Sequence, residues 1–237
     1  MIQSSSPCHG LYGKLPSHGD FVRRRLPADW ISTWDPWLQT ALSASRETLS
    51  ERWLEYYLHS PFWRFAIDAG VCGEHPWTGV VMPSVDRVGR YFPLTTAAQV
   101  PAGVNPFSLV EGANTWYEEV EKAMLQVLDE RGATLDQLDT GLGGIQPPEA
   151  LQNPPGSGPR VGTIDAVEVS VHLCSETAEI RSTYPVLLQA LATEHLGAFS
   201  VWWTTGAEYV ERCIRVASGL PDPKLFWHFL SSHKHDN

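Results

Sequence analysis

Residues 79–94 read GVVMPSVDRVGRYFPL. Two apolar arms, residues 79–83 and 91–100, flank a polar connector of residues 84–90 that contains a glycine. Such an arrangement is typical of a β-hairpin, because the arms can pair while the polar connector stays in solvent. The stretch therefore predicts two paired strands joined by a connector that is unusually rich in charge.

Further strands and helices are predicted on both sides of this hairpin. Residues 62–69 are mostly apolar and end at Gly70, which favours a strand buried on at least one face. Apolar and polar residues alternate in residues 167–173, which favours a half-buried strand. Helices are predicted where an Asp or Asn precedes a proline and apolar residues then recur at helical spacing. Helices interspersed with paired strands predict an α/β fold, a three-layer αβα sandwich with a mixed central sheet. The predicted helices begin at Asp35–Pro36, Asn105–Pro106, Pro185 and Asp222–Pro223.

The length of 237 residues is within the range of one α/β core, so we expect a single domain over residues 1–237. Residues 138–162 contain repeated Gly and Pro without apolar periodicity, which predicts a flexible excursion. Each half of the chain has few strands of its own. One sheet with strands from both sides of the excursion is therefore expected.

The overall charge bears on the class of partner and on location. A net charge of −10 disfavours nucleic acid and anionic lipid as partners. The one dense basic run, residues 23–25, is interpreted as a solvated edge, with a local anionic partner as the alternative. Scattered cysteines, no signal-peptide pattern and no long apolar run predict a cytoplasmic protein without a disulfide framework or membrane insertion.

No complete enzyme motif is found, so we predict no catalytic residues, no cofactor and no metal site. The chain lacks a phosphate-binding GxxxxGK[ST] loop and an HExxH zinc motif. Ser84 lacks the glycines of a nucleophile elbow. A triad of Ser84 with His75 and Asp86 in space is left open, although a serine that caps a turn is the simpler interpretation.

The connector and the N-terminal loop hold the most unusual polar residues. Asp86, Arg87 and Arg90 lie between the two apolar arms. Because Arg pairs with planar anions through two hydrogen bonds, these arginines suit a carboxylate or phosphate ligand, or an internal pairing with Asp86 that braces the loop. Lys14, His18 and Asp20 form a second polar group. If the two loops pack together, they make one composite surface.

Several strings occur in an order that resembles one known family. They are GLYGKLP at 10–16, GDFV at 19–22, SPFWRF at 60–65, the hairpin at 79–94 and SVWW at 200–203. Together they resemble the TagF (ImpM, SciT) family associated with bacterial type VI secretion. Most of the specificity lies in the first hundred residues. Residues 138–162 match no pattern of the family.

The resemblance implies an α/β sandwich and a regulatory, non-enzymatic role. TagF-like proteins are associated with posttranslational repression of the type VI apparatus, for some members by binding a forkhead-associated scaffold called Fha. The implied partner is Fha or another type VI secretion component. Two alternatives are an anion-binding or catalytic domain that uses Lys14, Ser84, Asp86, Arg87 and Arg90, and a structural piece of the machine. The candidate partner-binding or loop-bracing residues are Lys14, His18, Asp20, Trp63, Ser84, Asp86, Arg87 and Arg90.

Overall fold

The computed structural model describes residues 9–129, 134–145, 160–164, 169–172 and 180–232. The strands are β1 (Gly10–Gly13), β2 (Val22–Arg24), β3 (Trp63–Ile67), β4 (Trp77–Met82), β5 (Leu94–Gln99), β6 (Arg160–Ile164), β7 (Val169–His172), β8 (Phe199–Thr204) and β9 (Cys213–Ser218). The α-helices are α1 (Ala28–Leu49), α2 (Trp53–Leu58), α3 (Pro106–Gly112), α4 (Asn114–Asp129), α5 (Leu135–Gly143) and α6 (Tyr184–Leu196). Short 3₁₀ helices cover Ser50–Arg52, Ile180–Thr183 and Pro223–Phe229.

Seven strands form one sheet in the order β2-β1-β5-β4-β3-β8-β9, and β6 pairs with β7 separately. Every neighbouring pair in the described sheet is antiparallel. The predicted mixed sheet is therefore wrong. Parallel neighbours need long crossovers, whereas β3, β4 and β5 follow one another as hairpins and β8 turns directly into β9.

Side chains alternate between the two faces of each strand, and on the central strands a buried core covers each face. On β3, Trp63, Phe65 and Ile67 face a core that includes residues of α1, α2 and the last 3₁₀ helix. Ala66 faces a second core that includes residues of α3, α4 and α5. These contacts confirm the α/β class, and the three-layer sandwich remains the finer prediction.

The first core is dominated by tryptophans of α1. Trp30 and Trp34 are fully buried, and the ring of Trp34 stacks on that of Trp202 with centroids 5.9 Å apart. The prediction that this helix begins at Asp35–Pro36 is wrong, since α1 begins at Ala28 and contains Pro36. Trp30 lies one helical turn before Trp34, so burying both extends the helix towards the N-terminus. Pro36 is exposed, which lets water solvate the carbonyl that a proline leaves unbonded.

The segment after residue 105 is helical, as predicted, and it forms two separate helices. Asn105 caps a helix as predicted, its side chain accepting from the N–H of Phe107 at 2.9 Å, but α3 ends at Gly112 and α4 follows separately. The predicted excursion at 138–162 begins inside α5 and ends inside β6. Leu135, Leu138 and Leu142 supply the apolar spacing of α5 and are buried. Residues 146–159 lie outside the described residues, and the single-domain prediction stays a prediction.

The basic run at residues 23–25 connects the sheet edge to α5. Arg24 pairs with Asp136 at 3.1 Å, and Arg25 pairs with Asp139 through its two terminal nitrogens, Nη1 and Nη2. Arg25 Nε also donates to the carbonyl of His9 at 2.9 Å. Arg23 donates to the carbonyl of Leu26 from Nε and Nη2, at 3.2 and 2.9 Å. The run therefore lies at a solvated edge, as predicted, and all three of its arginines are used in internal contacts. Within the described ranges, no helix is both long and apolar enough to cross a membrane.

We expect His9 to make folding sensitive to mild acid. Burial, reinforced by the charge of Arg25, lowers the pKa of His9 from 6.5 to about 4. Its stabilising contribution is therefore complete above pH 6.5 and is lost as the pH falls towards 4. The free energy of unfolding should be about 2 kcal/mol smaller at about pH 5 than at about pH 7 through this group. Urea denaturation of wild type and His9→Phe checks this, because phenylalanine keeps the stacking on Trp116 but cannot titrate. Equal pH profiles for the two proteins would contradict it.

We expect Gly79→Ala to destabilise the sheet. A Cβ at Gly79 would lie 2.0 Å from the carbonyl oxygen of Thr96 on the neighbouring strand, so the strands must move apart. The loss in unfolding free energy should be at least about 1–3 kcal/mol by urea denaturation. Gly141→Ala in α5 is the matched control, because its nearest neighbour lies 3.8 Å away, and it should raise stability by about 0.5–1 kcal/mol. Similar effects of both changes would show that close packing at Gly79 is not required.

Candidate functional site

The N-terminal loop (residues 14–21) and the connector (residues 84–90) lie side by side, and together they are called the platform below. The sheet order brings them together, because β5 pairs with both β1 and β4 and the two loops follow the ends of those strands. The N–H of Arg87 donates to the carbonyl of His18 at 2.9 Å, and Ser84 Oγ donates to the carbonyl of Lys14 at 2.7 Å. Arg90 Nη2 donates to the carbonyl of Gly19. The platform is therefore one braced unit.

The carboxylate of Asp86 is the centre of this bracing. Its Oδ2 accepts from Lys14 Nζ at 2.5 Å and from Arg90 Nε at 2.6 Å. Its Oδ1 accepts from the N–H groups of Val88 and Arg90 at 3.0 and 2.9 Å. An aspartate that bonds to backbone N–H groups a few residues ahead closes a turn locally. The side chain of Asp86 is fully buried and that of Lys14 is nearly so.

The electrostatics of Asp86 follow from these contacts. Burial alone would raise its pKa, but hydrogen bonds from Lys14, from the backbone and side chain of Arg90 and from the N–H of Val88 more than offset it. The pKa of Asp86 is thus held well below its ordinary value of 3.8. Its contribution to stability is present above that value and is lost as the pH falls below it. At neutral pH the carboxylate is ionised and paired with Lys14.

Ser84 is also engaged within the protein. Besides its bond to Lys14, its carbonyl accepts from Tyr57 Oη, and its N–H donates to the same oxygen, both at 2.9 Å. His75 precedes β4 whereas Ser84 follows it, so the six residues of that strand, about 20 Å of chain, separate the two. The triad left open by the sequence is not formed. Ser84 is a bracing residue.

Other side chains of the platform face solvent. Val88 is 66% exposed, Phe21 is 45% exposed and the side chain of Arg90 is 57% exposed. The exposed guanidinium of Arg87 has no hydrogen-bond or ion-pair partner among the described residues. A Cβ on Gly19 would lie 3.4 Å from Arg87 Nη2, which places this group over the N-terminal loop.

Phe21 is held in place although it is exposed. Its ring lies 5.6 Å from that of Tyr12 and 4.8 Å from that of Phe92, centroid to centroid. Lys14 Nζ lies 5.0 Å from its centroid, a cation–π contact. These contacts present Phe21 as an ordered apolar surface beside the ion pair. Phe21 was not among the candidate site residues predicted from the sequence. Its position, an aromatic residue between a charged loop and a basic run, was the signal that could have identified it.

The remaining candidates divide between surface and core. His18 is half-buried with Nδ1 3.0 Å from Ser17 Oγ, and Asp20 is exposed with a carboxylate oxygen 3.9 Å from Arg90 Nη2. Trp63, in contrast, is buried, and its Nε1 donates to the carbonyl of Phe229 at 2.9 Å. Trp63 is therefore part of the core and is not accessible to a partner.

A buried charge network on β3 was missed. Arg64 is 3% exposed and bonds to Glu121 with both Nε and Nη2, at 2.6 and 2.9 Å. Its Nη1 donates to Asn114 Oδ1 at 2.6 Å, and the guanidinium lies 5.3 Å from the ring centroid of Tyr117. An arginine between aromatic residues on a buried strand was the available signal. The network fastens α4 to the sheet.

The polar groups of the platform do not form a ligand cage. Lys14 and Arg90 are both bound to Asp86, whereas the guanidinium of Arg87 has no partner within the described part of the chain. In the described part of the chain, no group of three or more His, Cys, Asp or Glu side chains is placed to hold a metal ion. The arrangement can present charge and apolar surface to a partner, which differs from enclosing a small ligand.

We expect the bracing and exposed residues of the platform to differ in their effect on stability. Asp86→Asn should lower the free energy of unfolding, because Lys14 would keep a buried charge without a counter-ion. Arg87→Ala should change it by less than about 0.5 kcal/mol, since its side chain makes no hydrogen bond or ion pair with the residues that the structure describes. Urea denaturation of both variants checks this. A variant Asp86→Asn as stable as wild type would show that the platform does not depend on the ion pair.

Comparison with known proteins identifies the family. The model of the TagF N-terminal domain, described as type VI secretion system-associated, matches residues 10–145, which include the whole platform. The crystal structure of PA0076 from Pseudomonas aeruginosa PAO1 is similar to this chain with a TM-score of 0.75 and 36% sequence identity. That likeness covers 97% of this chain and 96% of PA0076. No curated protein matches. The chain therefore belongs to the TagF family of type VI secretion-associated proteins.

Proposed function

We propose that the protein is a non-enzymatic regulatory adaptor that represses type VI secretion after translation, by binding a cytoplasmic scaffold such as Fha. The platform is the proposed contact surface. The observation that carries the proposal is that some residues of the platform fix its loops while others are exposed to solvent. Asp86, Lys14 and Ser84 fix the two loops, whereas Arg87, Val88 and Phe21 are displayed.

The fixed loops favour binding to a protein. A loop that is already ordered loses little conformational freedom on association, so more of the contact energy appears as affinity. Arginine and aromatic side chains are also enriched among the residues that dominate protein interfaces. Arg87, Arg90 and Phe21 belong to these types, and they lie within the region that the family model matches.

The alternative anion-binding or catalytic function has less support. It requires Lys14 and Arg90 to receive a ligand, but both already pair with Asp86. It also requires a free hydroxyl on Ser84, which donates to the carbonyl of Lys14. Arg87 would be left as the main available group among the described residues of the platform, and an exposed ion pair contributes about 1 kcal/mol or less.

Pull-down of Fha with purified protein tests the proposal. Arg87→Glu should weaken capture about tenfold, because it reverses an exposed interface charge without changing an internal contact. Lys122→Glu is the matched control, with the same change of charge at an exposed position of α4, and should capture Fha like wild type. Arg90→Ala should also lose capture, but it removes a bracing bond as well, so Arg87→Glu is the cleaner variant.

Each other result has a definite meaning. Equal capture by Arg87→Glu and wild type would place the contact outside the platform. Failure of wild type to capture Fha at high concentration would contradict this scaffold as the partner. Stable co-purification with the assembled apparatus, in place of free scaffold, would identify a structural component and contradict the regulatory role.

A further inference from the structure

We infer that the platform binds an acidic segment of a partner protein that carries one apolar side chain between its carboxylates. This inference deepens the proposed function and rests on it, because it names the chemistry that the same surface recognises. The proposal is carried by charge complementarity, by an ordered apolar group beside the charges and by the rigidity of both loops.

The charge of the platform is opposite to that of the whole protein. The chain carries a net charge of −10, yet Arg87 and Arg90 are exposed on the platform. Asp86 is buried and neutralised by Lys14, which leaves Asp20 as the exposed acid of residues 14–21 and 84–90. The field of distant acidic residues is screened beyond about 8 Å at physiological ionic strength, so a docked segment experiences mainly the local arginines.

The exposed arginines select carboxylates. Arg87 keeps all of its side-chain N–H donors free of the described residues, and a guanidinium pairs with a carboxylate through two parallel hydrogen bonds. Arg90 uses Nε on Asp86 and Nη2 on Gly19. The side chain of Arg90 is 57% exposed and its Nη1 has no hydrogen-bond partner among the described residues, so it can add a second, weaker contact to a carboxylate without opening the brace.

Apolar surface lies beside these charges. Phe21 is ordered by Tyr12 and Phe92, and Val88 is exposed at the tip of the connector, next to Arg87 in the chain. An apolar side chain of the partner that covers either Phe21 or Val88 removes water from it and strengthens the adjacent ion pairs. A purely acidic segment would leave this surface uncovered, which is why the inferred segment includes an apolar residue.

The tip of the connector is an ordered turn with unoccupied space around it. Gly89 has a φ of +86°, and the space around its missing Cβ is empty to at least 4 Å. The N–H of Gly89 donates to the carbonyl of Asp86 at 3.0 Å, which closes the turn beneath the exposed side chains. The partner segment therefore meets a preformed surface, and binding does not require a rearrangement of the connector.

A polyanion is a poorer match than an acidic protein segment. Nucleic acid binding depends on many cationic contacts to phosphates, and the platform offers two exposed arginines on a strongly acidic protein. A small free anion is also a poorer match, because the site is open and one or two exposed ion pairs give little affinity.

Fluorescence anisotropy with the full chain tests the inference. The probe is a short fluorescein-labelled peptide in which aspartates surround one leucine. We expect saturable binding that weakens as salt is added. Replacing the aspartates by asparagine, or the leucine by serine, should each weaken binding about tenfold. Arg87→Glu should weaken it to a similar extent, whereas Lys122→Glu should not.

The inference would be overturned if the peptide did not bind, and also by any of three results obtained when it does. The first is equal binding of the aspartate and asparagine peptides, and the second is unchanged binding by Arg87→Glu. The third is tighter, Arg87-dependent binding of a single-stranded oligonucleotide labelled in the same way. If the peptide fails while Fha is captured through Arg87, the partner chemistry is wrong and the proposed function stands. If the peptide binds as expected but Fha is not captured, the partner chemistry stands and the proposed scaffold is wrong.

Discussion

The buried ion pair between Lys14 and Asp86 holds the platform together. A buried charge is costly to leave unpaired, so each of these residues makes the other necessary. Asp86 also accepts two backbone N–H groups and the side chain of Arg90, which shapes the connector. Lys14 in turn places the N-terminal loop beside it. The pair contributes geometry, since it fixes where the exposed side chains of both loops lie.

The structure separates two roles that the sequence left combined. Internal bracing and partner binding were alternative interpretations of the same arginines. Arg90 is engaged with Asp86, whereas the guanidinium of Arg87 has no partner among the described residues. Neighbouring residues of one motif can therefore serve different purposes.

Local chemistry made part of the fold predictable. The hairpin of β4 and β5 and the cap at Asn105 follow from turn residues and capping groups that act over a few positions. The start of α1 was missed because burial of Trp30 and Trp34 outweighs the signal of Asp35–Pro36. The direction of the strands and the approach of Lys14 to Asp86 depend on which strands become neighbours. Sequence periodicity does not contain that information, whereas the family resemblance gave the correct family.

The order of the strands has a consequence for synthesis of the chain. β3 lies inside the sheet between β4 and β8. Its neighbour β8 comes from the last part of the sequence and pairs with it so that Arg64 lies opposite Trp203. Until β8 has left the ribosome, one edge of β3 has no strand to pair with, and Trp34 and Trp37 lack the ring of Trp202. An unpaired apolar edge invites association with other chains. The newly made N-terminal part therefore exposes one edge of β3 and part of its tryptophan core until β8 has been made.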